Sequence, residues 1–148
     1  MNALTAIEAS KTISETEDLI ILDTRDYQTF SDGFITGSIF IGLNERFEDW
    51  VISLIPSGST ILMVTAPGKE DETANRLKKA GFDKIAGYLA GGIEAWRQAG
   101  EVTDLLIQVE ADELAMDIPF DERLIVLDVR NETEYADGHV KNALNISL

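Results

Sequence analysis

The 148-residue chain contains no cysteine and a single histidine, His139. The first absence excludes a disulfide framework, a thiolate metal site and cysteine-based nucleophilic catalysis within these residues. The second leaves little for a transition metal, so neither metal nor cofactor is expected. Positive charge is scarce as well: 12 Lys and Arg stand against 27 Asp and Glu, a formal net charge of -15. Nucleic acid and anionic membrane surfaces would be repelled before contact, and both are excluded as partners. No apolar run approaches the length of a membrane span, and the first residues lack the basic segment and apolar stretch of a secretory signal. A cytoplasmic location is the expectation. With 45% hydrophobic and 26% charged residues the composition is that of an ordinary soluble globular protein, and the length allows one or two domains.

What the chain does have is a repeat. Leu19–Leu43 returns without a gap as Leu124–Leu148, an offset of 105, and nine of the 25 aligned pairs are identical. The identities include Asp23 with Asp128, Arg25 with Arg130 and Gly33 with Gly138. Ile21 with Val126, Phe30 with Tyr135 and Ile35 with Val140 keep size and character, so core positions repeat together with polar ones. So long a period indicates a domain duplication and not a solenoid. The expected organisation is one complete domain over residues 1–100, a short polar linker over 101–104, and the N-terminal half of a second copy over 105–148.

Short β-type runs alternate with helical stretches, the pattern of a parallel sheet covered by helices on both faces. Leu19–Leu22, Ile39–Ile41, Ile61–Val64 and Ile85–Tyr88 read as buried strands. Helices are expected over Ala6–Ser14 with Thr5 as N-cap, over Phe47–Leu54 closed by Pro56, Ser57 and Gly58, over Asp71–Ala80 stopped by Gly81, and over Ile93–Ala99 stopped by Gly100. In the second copy, Leu124–Val129 and Ala143–Ile146 read as strands.

Three stretches carry a family resemblance. Leu22–Ile39, L-D-T-R-D-Y-Q-T-F-S-D-G-F-I-T-G-S-I, resembles the opening signature of rhodanese-like domains: aspartate, any residue, arginine, then an aromatic and a glycine. Leu127–Leu144 is a closer match, since it keeps Glu134, Gly138 and His139. Gly81–Trp96, G-F-D-K-I-A-G-Y-L-A-G-G-I-E-A-W, resembles the closing signature of a strand, a glycine pair and a tryptophan-bearing helix. The resemblance covers essentially the whole chain. It implies an α/β, three-layer fold with a five-stranded, mostly parallel sheet between helices, followed by a truncated second copy.

The signature residues also have a physical reading of their own. Asp23 and Arg25, and likewise Asp128 and Arg130, sit where a strand leaves the sheet. There a charged pair can reach solvent and tie the strand end to the next helix. Gly33 and Gly37 punctuate the route to the next strand, where backbone freedom is needed. Gly91 and Gly92 superficially suggest a phosphate loop, but no Lys-Ser or Lys-Thr follows, so a tight strand-to-helix turn is expected. Trp96 with Ile93 makes an apolar stripe facing a core. His139 matches the family's signature histidine and Phe34 replaces it in the first copy, which favours packing over catalysis.

The stretch Thr65–Asp71, T-A-P-G-K-E-D, follows the Ile61–Val64 strand and precedes a helix. In active rhodaneses this place resembles a phosphatase-like cradle. A cysteine opens it, and backbone N–H groups and a helix N-terminus surround its sulfur. The resemblance puts Thr65 at the cysteine position, keeps Gly68, and puts Glu70 where many members have arginine. Threonine cannot carry a persulfide, and its hydroxyl is a poor nucleophile without an activating base. Pro67 removes one amide donor, and Glu70, Asp71 and Glu72 occupy the positive end of the helix dipole with the protein's own carboxylates. Lys69 is the loop's one cation. Thr65, Ala66, Pro67, Gly68, Lys69 and Glu70 therefore form a degenerate active-site loop, and no catalytic residue is expected. An enzyme using Thr65 by another mechanism and a small-anion site are the weaker alternatives to a scaffold or docking role.

Two known architectures pair a cysteine-free rhodanese-like domain with a better-matching second one. One is the tandem sulfurtransferase, whose catalytic cysteine would here lie beyond Leu148. The other, preferred for the acidic loop and the G-Y-L-A-G-G-I-E-A-W ending, is the fusion of a metallo-β-lactamase-fold hydrolase, such as a persulfide dioxygenase, with silent and catalytic rhodanese-like domains. A hydrolase would then precede Met1. The expected partners are other domains of the parent protein, with a homodimer through the half-domain as a further expectation.

Overall fold

The computed structural model describes residues 1–147. It divides into two compact units, Met1–Ile107 and Gln108–Leu148. In the first unit the elements run β1 (Ala3–Leu4), α1 (Ala6–Glu15), β2 (Leu19–Asp23), α2 (Tyr27–Ser31), β3 (Phe34–Ile35), β4 (Ile39–Phe40), α3 (Phe47–Leu54), β5 (Thr60–Val64), α4 (Glu70–Lys79), β6 (Ile85–Leu89), α5 (Gly92–Gln98) and β7 (Thr103–Asp104). Five of these strands form an all-parallel sheet in the order β1-β6-β5-β2-β4. Strands β3 and β7 form a separate antiparallel ribbon.

Strand alternation sorts the apolar side chains onto two faces. Leu22, Ile61 and Met63 point into a core closed by α3 and α4 through Phe47, Val51 and Leu77. Ile21, Leu62 and Val64 point the other way, into a core closed by α1 and α5 through Ala9, Ile93 and Trp96. Both faces of the central strands are thus dry, which explains their unbroken apolar runs. Each fully buried large side chain here contributes about 1.5–3 kcal/mol of transfer free energy. The helix ends follow local chemistry: Thr5 caps α1 in a reciprocal box with Glu8, and Gly81 and Gly100 take φ of +90° and +82° just past α4 and α5.

Helices α3 and α4 are joined on the outside. The Arg76 Nε donates to Glu48 Oε1 at 2.7 Å, a second Arg76 N–H donates to the Asn44 carbonyl at 2.8 Å, and the guanidinium lies 4.9 Å from the centre of the Phe47 ring. The hydrogen bond from Arg76 holds the Glu48 carboxyl down from 4.5 to about 2. A group whose folded pKa is depressed adds stability above its unfolded value and loses it as pH falls through the folded one. Glu48→Gln should therefore lower stability near neutrality, and the deficit against the wild type should close between about pH 4.5 and pH 2. Thermal melts by circular dichroism across that range check it; a constant deficit down to pH 2 contradicts the coupling.

The second unit reuses the same local plan. It holds α6 (Ala111–Asp117), β8 (Leu127–Asp128), α7 (Glu132–Asp137) and β9 (Leu144–Asn145). Strands β8 and β9 pair in parallel with Leu127 opposite Leu144 and Asp128 opposite Asn145, the β2–β4 register of Leu22 opposite Ile39 and Asp23 opposite Phe40 displaced by 105. The capping boxes of α1 at Thr5 and α6 at Glu110 keep the same offset, so the repeat reaches back beyond Leu19.

Several elements differ from the sequence expectations. Leu124–Val129 and Ala143–Ile146 shrink to two-residue strands, because β2 owes its length to pairing with β5 over Leu19–Asp23, and among the described residues no strand takes that place beside β8. Leu127 is consequently 49% exposed whereas Leu22 is fully buried. Thr103 and Asp104, inside the expected linker, are β7 of the first unit. Helix α4 starts at Glu70, one residue before the expected Asp71, because Lys69 and not Glu70 is its N-cap. No helix of the described residues is long and apolar enough to cross a membrane.

Candidate functional site

Because the sheet is parallel, β2, β5 and β6 all deliver their C-terminal ends to one edge, where open α/β sheets place their sites. Thr65 follows β5, the Asp23-Thr24-Arg25 corner follows β2, and Gly91 and Gly92 follow β6 with φ of +74° and +61°. Those two glycines make the strand-to-helix turn that the sequence indicates. A side chain on Gly91 would also meet the Ala95 methyl at 2.8 Å. Ile93 and Trp96 lie in the core, as expected, and the indole N–H donates to the Val102 carbonyl at 2.9 Å.

The Asp23–Arg25 pair does not reach solvent, contrary to the expectation. Asp23 is fully buried and Arg25 is 8% exposed. The arginine Nε lies 2.9 Å and 3.1 Å from the two Asp23 oxygens, and the remaining arm donates to Asp23 Oδ2 at 2.6 Å and to the Gly33 carbonyl at 2.8 Å. The burial comes from the chain packed around this corner and not from the Gly33 bond, since Arg130 makes the equivalent bond to the Gly138 carbonyl with its side chain 46% exposed. Gly33 itself is not there for backbone freedom, since its φ is negative or extended. A Cβ at Gly33 would lie 1.9 Å from the Arg97 guanidinium, which donates to the adjacent Asp32 carbonyl at 3.0 Å. Two arginines thus clamp consecutive peptide carbonyls. Arg97 escaped the sequence reading because its partner is 65 residues away and is main chain.

In the second unit Arg130 repeats the Arg25 pattern on Asp128 and the Gly138 carbonyl, with Nε–O contacts of 3.0 Å and 3.2 Å and an arm-to-carbonyl distance of 2.8 Å. That hydrogen bond from Arg130 lowers the Asp128 carboxyl pKa. His139 stacks on Tyr135 with centroids 3.8 Å apart, and its Nδ1 lies 2.8 Å from the Tyr135 carbonyl. Phe34 stacks on Phe30 in the same way at 4.4 Å. Histidine and phenylalanine occupy equivalent ring-packing positions. Glu134 closes the capping box of α7 with Asn131.

Residues 65–69 form the loop, and Glu70 opens α4. The Gly68 amide donates to Glu70 Oε1 at 3.2 Å, Lys69 Nζ donates to Glu72 Oε2 at 2.7 Å, and the Thr73 hydroxyl donates to the Lys69 carbonyl at 2.8 Å. An amide that could face an anion is engaged by the protein's own carboxylate, and the loop's cation is paired. Thr65 is 9% exposed and makes no hydrogen bond through its hydroxyl among the described residues.

Thr65 lines a cleft of about 520 Å³ together with residues of the β6–α5 turn, Arg25, Gly33 and Arg97. Its apolar lining includes Leu89 and Ile93, and Asp32, Glu70 and Glu94 supply carboxylates. Arg25 therefore borders the cleft as well as bracing the corner behind it.

A family profile for the rhodanese-like domain matches residues 5–99 and again 110–148. The chain belongs to the rhodanese-like domain family. Among solved structures it is similar to the rhodanese-like domain of the Alr3790 protein from Anabaena sp., at 31% identity over 66% of this chain and 98% of that one, with a TM-score of 0.55. A second crystal structure of the Alr3790 protein aligns at 28% identity over 70% of this chain and 92% of that one, with a TM-score of 0.61. Thiosulfate sulfurtransferase from Pseudomonas aeruginosa shares the fold at 16% identity, covering 99% of this chain but 31% of its own length, with a TM-score of 0.63. No curated protein sequence matches the chain.

Proposed function

We propose that the first unit is a catalytically silent rhodanese-like domain serving as a scaffold or interaction module within a larger sulfur-metabolism protein. One observation carries the reading: the loop that follows β5 opens with Thr65, and its Gly68 amide is bonded to Glu70. Sulfur transfer by a persulfide needs a thiolate and unoccupied donors around it. Here there is no thiol, Pro67 has no N–H and the Gly68 amide is already engaged. The cysteine-free acidic loop and the closing G-Y-L-A-G-G-I-E-A-W stretch support a parent of the metallo-β-lactamase-fold and rhodanese fusion type. The second reading, a tandem thiosulfate or persulfide sulfurtransferase, is favoured by the repeated β2–β4 register in the second unit. In that reading the repeat offset puts the catalytic cysteine of a longer polypeptide near position 170, beyond Leu148.

Cyanide-dependent formation of thiocyanate from saturating thiosulfate tests the first reading on this chain. The expected result is no turnover above the uncatalysed background. Turnover that disappears in Thr65→Ala overturns it.

A further inference from the structure

The cleft beside Thr65 has an uneven charge balance. Of its two guanidiniums, Arg25 is neutralised by Asp23, whereas Arg97 bonds only the neutral Asp32 carbonyl and Thr103 hydroxyl and keeps its charge. Against that one charge stand three carboxylates, also without a charged partner. Asp32 accepts from Gln28 at 3.1 Å, Glu94 from Gln98 at 3.0 Å and Glu70 from the Gly68 amide, each a neutral donor. Among the described residues none of the three makes an ion pair. A carboxylate has about four acceptor sites, so each has capacity left. Leu89 and Ile93 supply an apolar wall, 4% and 7% exposed. Thr65 is 9% exposed as a residue, and its hydroxyl, without a hydrogen-bond partner among the described residues, is an acceptor lining the same space.

We infer that this cleft receives a lysine side chain presented by a partner protein. The inference rests on the reading of the first unit as non-catalytic and names the chemistry of its partner. An aliphatic stem capped by an ammonium suits the lining: the methylenes lie along Leu89 and Ile93 while the three N–H donors reach Thr65 and the carboxylates. The net charge of -15 draws a basic partner and repels an acidic one. An oxyanion would meet three carboxylates against the single unpaired charge of Arg97.

The test titrates the ¹⁵N-labelled full chain with the peptide acetyl-Gly-Lys-Gly-amide, with the same peptide acetylated on the lysine Nζ, with cadaverine and with thiosulfate. The expected result is saturable shifts at the amides of Thr65, Gly92 and Glu94 with the lysine peptide and none with its acetylated form. Glu94→Gln, at an exposed site, and Glu70→Gln should each weaken binding roughly two- to fivefold, the range of a partly screened ion pair, and added salt should weaken it further. Equal shifts from the two peptides, no effect of either substitution, or shifts from thiosulfate alone overturn the inference. Cadaverine binding more tightly than the peptide overturns the protein partner in favour of a free diamine. A chain that ignores the peptide and makes no thiocyanate overturns only this inference, whereas thiocyanate production overturns the silent reading itself.

Discussion

Arg25→Met should destabilise the first unit by about 3–5 kcal/mol, the cost of leaving a buried carboxylate without its partner. Asp23 is fully buried and Arg25 supplies all its side-chain cationic donors as well as the bond to the Gly33 carbonyl. The duplication provides an internal control. Arg130 makes the same bonds to Asp128 and Gly138, but its side chain is 46% exposed and that of Asp128 is 11% exposed. Water can replace the lost partner there, so Arg130→Met should cost the second unit much less than Arg25→Met costs the first. Urea unfolding of the full chain, read through residue-resolved amide exchange, separates the two units. Equal losses at both sites would show that burial does not set the worth of this motif. Asp23→Asn with Arg25→Met should recover part of the loss, because the pair then buries no charge.

The sequence pattern disclosed the alternating strands and helices because a two-sided sheet imposes unbroken apolar runs on β2, β5 and β6, and the glycines after α4 and α5 mark real left-handed turns. The position of Thr65 followed from the same logic, since the C-terminal end of a central parallel strand is fixed once the strand is found. What stayed hidden depends on distance. Strand β1 is two residues long and exists through Tyr88 and Leu89 on β6, and β7 exists through Phe34 and Ile35. No local periodicity announces either. The burial of Asp23 and Arg25 was likewise unreadable, because the sequence shows two charged residues but not the tertiary packing that covers them. Gly33 itself signals a turn in sequence. In the folded chain it is a gap for Arg97, a residue with no pattern connecting it to the site.

Thr65→Cys alone should not create a sulfurtransferase, and its thiol should titrate at or above about 8.5, the value of an ordinary cysteine. Cysteines activated by helix N-termini and cations fall to about 3.5–7.5, so at pH 7 the difference is a few per cent thiolate against a majority. Several stabilising devices are missing or spent around Thr65. Pro67 has no N–H to offer, and the Gly68 amide serves Glu70. Lys69 is held by Glu72 and Arg25 by Asp23, while Glu70, Asp71 and Glu72 crowd the N-terminal turn of α4. Nearby carboxylates raise the free energy of a sulfur anion and so raise the thiol pKa. The rate of iodoacetamide alkylation against pH measures that pKa, and cyanolysis measures transfer. A second substitution, Glu70→Gln, removes one like charge and frees the Gly68 amide, and should lower the thiol by about one unit, or roughly 1.4 kcal/mol. A single Thr65→Cys chain with a thiol below about 7 and sustained thiocyanate formation would mean that the cradle is intact and that the missing sulfur alone keeps this domain silent.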